Sequence, residues 1–312
     1  MNILVSGSLA YDRIMDFPGK FVDHILPEKI HILNVCFVIE GMRENFGGTA
    51  GNVAYALSLL GEAPIVVATA GRDFGPYREW LHKNSLSTQH ITLIQDELTA
   101  GAYITTDKAD NQITAFNPGA MKFSAAFDFD TLNPRETVAI VSPGNLNDMI
   151  NFPQVFKKKS IPYIFDPGQS LPALNSADLG KSIDGAWVLI CNDYELQLTM
   201  NKTGLNSDKL LEKAEWLIVT RGEYGSIAMV KDNGIVKSTE ILPIIPQRVC
   251  DPTGAGDAFR AGLLKGLVSG KDIVYSAKMG SVCAAYCVEV YGTQTYTFTQ
   301  EAFDKRFTIS FG

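Results

Sequence analysis

From Thr137 onward the chain keeps one order: a short apolar run, a polar or glycine turn, then a helical stretch. The runs are Thr137–Ser142, Ile161–Asp166, Ala186–Cys191 and Trp216–Thr220. Unbroken apolar strands are covered on both faces, and strand–helix alternation makes them neighbours in a parallel sheet with helices on both sides. The same order is present earlier, where Ile3–Val5 ends in Ser6-Gly7-Ser8 and Ile65–Ala70 ends in Gly71. The expected class is α/β, with a central, mainly parallel sheet.

Two stretches interrupt this order. Residues 13–46 lack helical periodicity, and the run from Ile30 to Glu40 is β-branched and aromatic, which predicts extended strands. Ala102–Thr106 and Gln112–Phe116 flank Asp107-Lys-Ala-Asp-Asn111 as a hairpin. Both interruptions follow N-terminal strands. One economical arrangement is a small β layer built from about 13–46 and 101–118, placed as a lid over the carboxyl ends of the main sheet. Ligands of open α/β sheets bind at those ends. A late hairpin is expected at Ser226–Lys231 and Ile235–Thr239, and a small-faced helix over 272–290.

Composition narrows the function. A chain of 312 residues with 46% hydrophobic and 20% charged content reads as an ordinary soluble globular protein. A formal net charge of −7 argues against a nucleic-acid partner, and the one basic run, Lys157-Lys158-Lys159, reads as a solvated helix end. No window of 18 apolar residues predicts a membrane span, and the first residues enter a strand without a charged leader, so no signal peptide is expected. The five cysteines are sparse and odd in number; Cys283 and Cys287 share a helix face without a third ligand and read as buried apolar residues. A reducing cytoplasm fits them. The P-loop, dinucleotide, zinc-protease and nucleophile-elbow patterns are all absent.

Five turn segments lie where parallel strands would deliver them to one edge. In Asp251-Pro-Thr-Gly-Ala-Gly-Asp-Ala-Phe259, Gly254, Ala255 and Gly256 precede an acid, Asp257, at the start of a helical pattern. Backbone N–H groups there suit an anion, and an acid beside them can accept a proton from a hydroxyl. A plain helix start with an acidic first turn is the other reading. Asp12 after the first strand can accept two hydrogen bonds from a diol. Gly47 and Gly48, with Asn52, offer a close backbone and an amide. Asn192 and Glu195 offer a cap or a site for water-bound Mg2+. Thr220, Gly222 and Gly225 offer phosphate donors or simple turns. Each has a bland alternative; together they supply the parts of phosphoryl transfer to an alcohol.

With these residues the chain resembles the PfkB/ribokinase family of carbohydrate and nucleoside kinases. The resemblance rests on Gly47-Gly-Thr-Ala-Gly-Asn-Val-Ala54 and the segment 251–259 in that order. More narrowly it is similar to the bacterial adenosine and nucleoside kinase branch, through Gly7-Ser-Leu-Ala-Tyr-Asp12, His24-Ile-Leu-Pro-Glu-Lys-Ile-His31, Asn111-Gln-Ile-Thr-Ala-Phe-Asn-Pro-Gly119 and Asp166-Pro-Gly-Gln169. The resemblance implies a three-layer α/β/α ribokinase-like fold over residues 1–312 with a small β lid. It implies Asp257 as catalytic base and Gly254, Ala255 and Gly256 as the anion hole. Asp12, Gly47, Gly48 and Asn52 take the sugar side, with Phe116 among the apolar lid residues offered to a base. Asn192, Thr220, Gly222 and Gly225 take the ATP side, Glu195 holds Mg2+ through water, and Asp251 is a candidate for K+. Pro252 departs from the threonine of many members, and Gln169 from the residue of some branches. The implied reaction is ATP-dependent phosphorylation of a nucleoside 5′-hydroxyl, adenosine first, with inosine and guanosine as further acceptors. A ribose or fructose kinase and a non-catalytic nucleotide binder remain as alternatives, and the apolar lid makes a homodimer a candidate assembly.

Overall fold

The computed structural model describes residues 1–109 and 111–312. Asp110, in the turn of the expected hairpin, lies outside the described residues. The strands are β1 (Asn2–Ser6), β2 (Ala10–Asp16), β3 (Gly41–Gly47), β4 (Ile65–Gly71), β5 (Ile91–Ile94), β6 (Ala100–Thr106), β7 (Gln112–Asn117), β8 (Thr137–Val141), β9 (Tyr163–Phe165), β10 (Val188–Asn192), β11 (Trp216–Thr220), β12 (Ser226–Asp232) and β13 (Ile235–Ile241). The α-helices are α1 (Thr49–Leu59), α2 (Gly75–Lys83), α3 (Leu146–Lys159), α4 (Ser176–Ile183), α5 (Asp193–Thr203), α6 (Ser207–Leu210), α7 (Ala255–Val268), α8 (Ile273–Val288) and α9 (Gln300–Phe311).

Nine strands form one sheet in the order β13-β12-β11-β10-β9-β8-β1-β4-β5, and four form a second in the order β3-β2-β6-β7. The large sheet is parallel from β5 to β11, and the hairpin β12–β13 adds two antiparallel strands. That hairpin turns at Asn233 and Gly234, both at positive φ, as a two-residue turn between twisted strands requires. This is a ribokinase-like α/β fold, as expected.

Strand side chains alternate between two cores. Ile3, Val5, Val66 and Ile140 join α1, α7 and α8 on one face, while Leu4, Val67, Ala139 and Val141 join α3, α4 and α6 on the other. Each fully buried aliphatic side chain contributes roughly 1.5–3 kcal/mol of transfer free energy. The basic run forms the last turn of α3, where cations favour the helix dipole; Lys157 pairs with Asp184 and Lys159 with Asp130. No helix among the described residues is long and apolar enough to cross a membrane.

One expectation fails. The run Ile30–Glu40 forms no strand: Pro27–Ile32 is a 3-10 helix, and the edge strand is Gly41–Gly47 instead. Strand propensity stabilises only where a partner strand lies alongside. Here Ile30, Leu33 and Val38 are exposed, and the segment is pinned by aromatic contacts of Phe37 with Phe17 and Phe21 at 4.8 and 5.0 Å between ring centres.

From β1 the chain builds outward through β4 to β5, then returns to β8 beside β1 and builds the other way. That reversal opens a crevice at the carboxyl ends of β1 and β8. The loops there are in contact: Ser8 N donates to Pro143 O at 3.0 Å, and Thr49 Oγ1 donates to the same carbonyl at 2.7 Å.

Candidate active site

The site gathers at this edge around the start of α7. Gly254 lies at φ 79°, and a Cβ there would sit 2.8 Å from Thr293 Cγ2, so both conformation and space call for glycine. Ala255 N donates to Pro252 O at 3.2 Å and Ala258 N to Gly254 O at 2.9 Å. The N–H groups of Gly256 and Asp257, in the first turn, have no helical partner and point outward from the positive end of α7. Ala255 N is thus engaged within the turn, while the Gly256 and Asp257 N–H groups are left open to an anion. Pro252 brings no donor, and its carbonyl closes the turn.

Asp257 sits below this turn with part of its surface open. Asn52 Nδ2 donates to Asp257 Oδ2 at 2.8 Å. Burial pushes the Asp257 carboxyl up to about 7; the Asn52 hydrogen bond and the Arg260 charge oppose that shift, while Asp166 and Asp12 add to it. A carboxyl titrating near neutrality suits proton transfer at physiological pH. Arg260, one turn further along α7, donates from Nε and Nη2 to Asp166 at 2.5 and 2.7 Å, and from Nη1 to Gly256 O at 3.0 Å. Arg260 and Asp166 are 6% and 2% exposed, so this is a desolvated pair. It fixes the Gly254–Asp257 turn to the end of β9.

The small sheet carries the opposite wall. Asp12 on β2 pairs with Asn45 on β3 and Ala102 on β6, and Ala102 pairs with Phe116 on β7. Directly paired residues point to the same face, so Asn45, Asp12, Ala102 and Phe116 form one row. Burial, then repulsion from Asp251, pushes the Asp12 carboxyl up to about 6. A Cβ on Gly47 would collide with Asp12 Oδ2, and one on Gly48, at φ 85°, would come within 2.6 Å of Ser8 O. Phe116 is half-exposed at 49%.

Asn192 and Thr220 are register partners at the ends of β10 and β11. Asn192 caps α5: its Oδ1 accepts from Glu195 N at 2.7 Å, and Glu195 Oε2 accepts from Asn192 N at 2.8 Å. The cap is a structural role that both residues fill in addition to any ligand. Burial raises the Glu195 carboxyl, the Asn192 hydrogen bond opposes this, and Asp166 adds repulsion. Gly222 and Gly225 bracket a 3-10 turn after β11, both at positive φ. Asp251 ties two turns together, accepting from Thr253 N at 2.9 Å and Gly292 N at 3.1 Å. No group of three or more His, Cys, Asp or Glu side chains is placed to hold a metal among the described residues. An Mg2+ ion fits here only if phosphate and water supply most of its oxygens.

The structure also brings in residues that motif reading passes over. Arg260 had a signal, a lone cation among Ala258, Phe259, Ala261 and Leu263 on a buried helix. Gln294, Tyr77 and Trp80 had none; they reach the site only through the fold.

Known proteins are similar to this chain in sequence and fold. The profile of the pfkB family carbohydrate kinase matches residues 20–300. A nucleoside kinase of Methanocaldococcus jannaschii is 33% identical over 272 residues, 86% of this chain and 87% of that protein. The structure of the Burkholderia thailandensis nucleoside kinase in complex with inosine superposes with a TM-score of 0.87 at 39% identity, covering 99% of this chain and 98% of that one. The same kinase in complex with ADP-inosine gives 0.85 at 40% identity, over 99% and 96% of the two chains. This chain belongs to the pfkB family of carbohydrate kinases and is a phosphotransferase acting on an alcohol group.

Proposed function

We propose that the protein transfers the γ-phosphoryl group of ATP to the 5′-hydroxyl of a purine nucleoside, with adenosine first and inosine and guanosine beside it. The observation that carries a nucleoside over a free sugar is the row Asp12–Ala102–Phe116. Neighbouring strands lie about 4.8 Å apart, so Phe116 stands roughly 10 Å from Asp12 across a gap lined by a methyl group. A nucleoside with its diol against Asp12 and its base against Phe116 would fill that space. Asp12 accepts the diol hydroxyls, Gly47 and Gly48 let the sugar approach the backbone, and Phe116 stacks on the base.

Asp257 accepts the proton of the 5′-hydroxyl as the phosphoryl group arrives. The Gly256 and Asp257 N–H groups, oriented by Gly254, Ala255 and the Arg260–Asp166 pair, meet the charged oxygens. ATP supplies the phosphoryl group, and a bound Mg2+ would supply charge neutralisation at its phosphates. On the chain's side, Asn192, Thr220, Gly222 and Gly225 would receive the nucleotide, Glu195 would hold hydrated Mg2+, and Asp251 would be the anionic group for K+. The small sheet, from about 13–46 and 101–118, acts as a lid that excludes water. Exposed Met42 and Ile113, in one row on its other face, support pairing of two chains there, which sedimentation tests.

The test is turnover of a panel with ATP: adenosine, inosine, guanosine, cytidine, ribose and fructose. Purine nucleosides are expected to give the highest kcat/KM. Turnover of ribose or fructose without any nucleoside would overturn the proposal.

A further inference from the structure

Asn52 does not meet Asp257 alone. Four elements meet in a buried chain of hydrogen bonds behind it. Trp80 Nε1 on α2 donates to Gln294 Oε1 at 2.9 Å. Gln294 Nε2, in the segment between α8 and α9, donates to Asn52 Oδ1 at 3.0 Å and to Tyr77 Oη at 2.7 Å. Asn52 Nδ2 on α1 then donates to Asp257 Oδ2 at 2.8 Å. Tyr77 Oη in turn donates to Gly47 O at 2.7 Å. Gln294 is 2% exposed, Asn52 6% and Tyr77 0%, so the middle of the chain is shielded from water. A Cβ on Gly51 would strike the Tyr77 hydroxyl, which keeps that position bare.

An amide has two ends of nearly equal shape and opposite polarity, and packing alone does not choose between them. An indole N–H does choose, because it is a donor only. Gln294 must turn its oxygen to Trp80, which leaves its nitrogen for Asn52. Asn52 must then turn its oxygen to Gln294, which leaves its nitrogen for Asp257. Reversing either amide would set donor against donor or acceptor against acceptor in a buried place. We propose that Trp80 and Gln294 are positioning residues that set the polarity of Asn52, so that an N–H and not a carbonyl meets the reactive carboxylate. This rests on Asp257 being the proton acceptor.

The consequence is chemical. An N–H on Oδ2 favours the ionised carboxylate and leaves Oδ1 for the substrate hydroxyl; a carbonyl there would favour the protonated acid. The other groups facing Asp257 are Arg260 on its own helix, Asp166 after β9, Asp12 on β2, Tyr77 on α2, Cys287 on α8 and Tyr296. None of them reverses with the amide.

The test is the pH profile of kcat/KM with ATP and a purine nucleoside for Gln294→Glu, Gln294→Leu, Trp80→Phe and Asp257→Asn, each checked for folding by circular dichroism and melting. Gln294→Glu offers acceptors to both Trp80 and Asn52, so Asn52 turns its oxygen on Asp257. The acidic limb is expected to rise by about one pH unit, and kcat at pH 7 to fall about tenfold. Gln294→Leu and Trp80→Phe, which add no charge, are expected to move the limb the same way by less. If Gln294→Glu fails to fold, the two neutral variants decide. Acidic limbs that coincide with the wild type in folded variants would overturn the proposal. Retained activity in Asp257→Asn would instead overturn the base itself, so the two failures are told apart.

Discussion

Asp166 and Arg260 close a two-point ion pair at 2.5 and 2.7 Å, buried behind the reactive turn and 94 residues apart in the chain. Arg260 also donates from Nη1 to Gly256 O, so the pair holds the end of β9, the body of α7 and the Gly254–Asp257 turn in one geometry. A buried pair of this kind adds little net stability, but removing one partner leaves an uncompensated charge. Asp166→Ala is therefore expected to lose about 3–5 kcal/mol in urea unfolding. Asp166→Leu combined with Arg260→Met is expected to regain most of that loss without regaining kcat.

Asp257 carries a pH signature in stability. Its carboxyl stands at about 7 in the folded chain against an ordinary value of 3.8. Between those values the folded state binds a proton that the unfolded state has released, so this group makes stability fall as pH rises through the window. Asp257→Asn keeps an acceptor for Asn52 and removes the charge. It should melt above the wild type at pH 8, with the gap closing toward pH 4. A gap that widens toward acid would reverse the sign and contradict the buried setting of the carboxylate.

Gly254 answers to both backbone and neighbour. Alanine at φ 79°, with its Cβ 2.8 Å from Thr293, would tilt the Gly256 and Asp257 N–H groups away from the phosphate. Gly254→Ala should lower kcat by about 10²-fold, as loss of an oxyanion donor does. The nucleoside KM, set at the small sheet, should change little.

Phe116 separates the two classes of acceptor. Being half-exposed, Phe116→Ala should leave unfolding within about 0.5 kcal/mol of the wild type. A stacked ring is worth about 0.5–1.5 kcal/mol, so the nucleoside KM should rise roughly 2- to 12-fold, and any residual ribose turnover should be unchanged. An equal effect on both would place the base elsewhere.

How much of this was legible in the chain follows from how far each interaction reaches. Strand–helix alternation and the glycine turns are local, so the sheet, both hairpins and the Gly254–Asp257 turn could be read directly. The run Ile30–Glu40 misled because strand propensity is local whereas strand pairing is not; the segment pairs with no strand and folds onto Phe17 and Phe21. The capping box of Asn192 and Glu195 was visible as one of two readings, and local geometry alone decides only that it forms. Gln294 left no trace in its neighbourhood, since its role comes from Trp80, Asn52 and Tyr77, all more than 200 residues away.

The central claim is that Asp257 takes the proton from a nucleoside hydroxyl. The measurement that meets it most directly is steady-state phosphorylation of adenosine and inosine by Asp257→Asn at pH 8. That variant keeps the Asn52 contact, the anion hole and the fold. The expected result is a kcat lower by about 10²–10⁴-fold with nucleoside KM within a few-fold of the wild type. A kcat within about threefold of the wild type would contradict it.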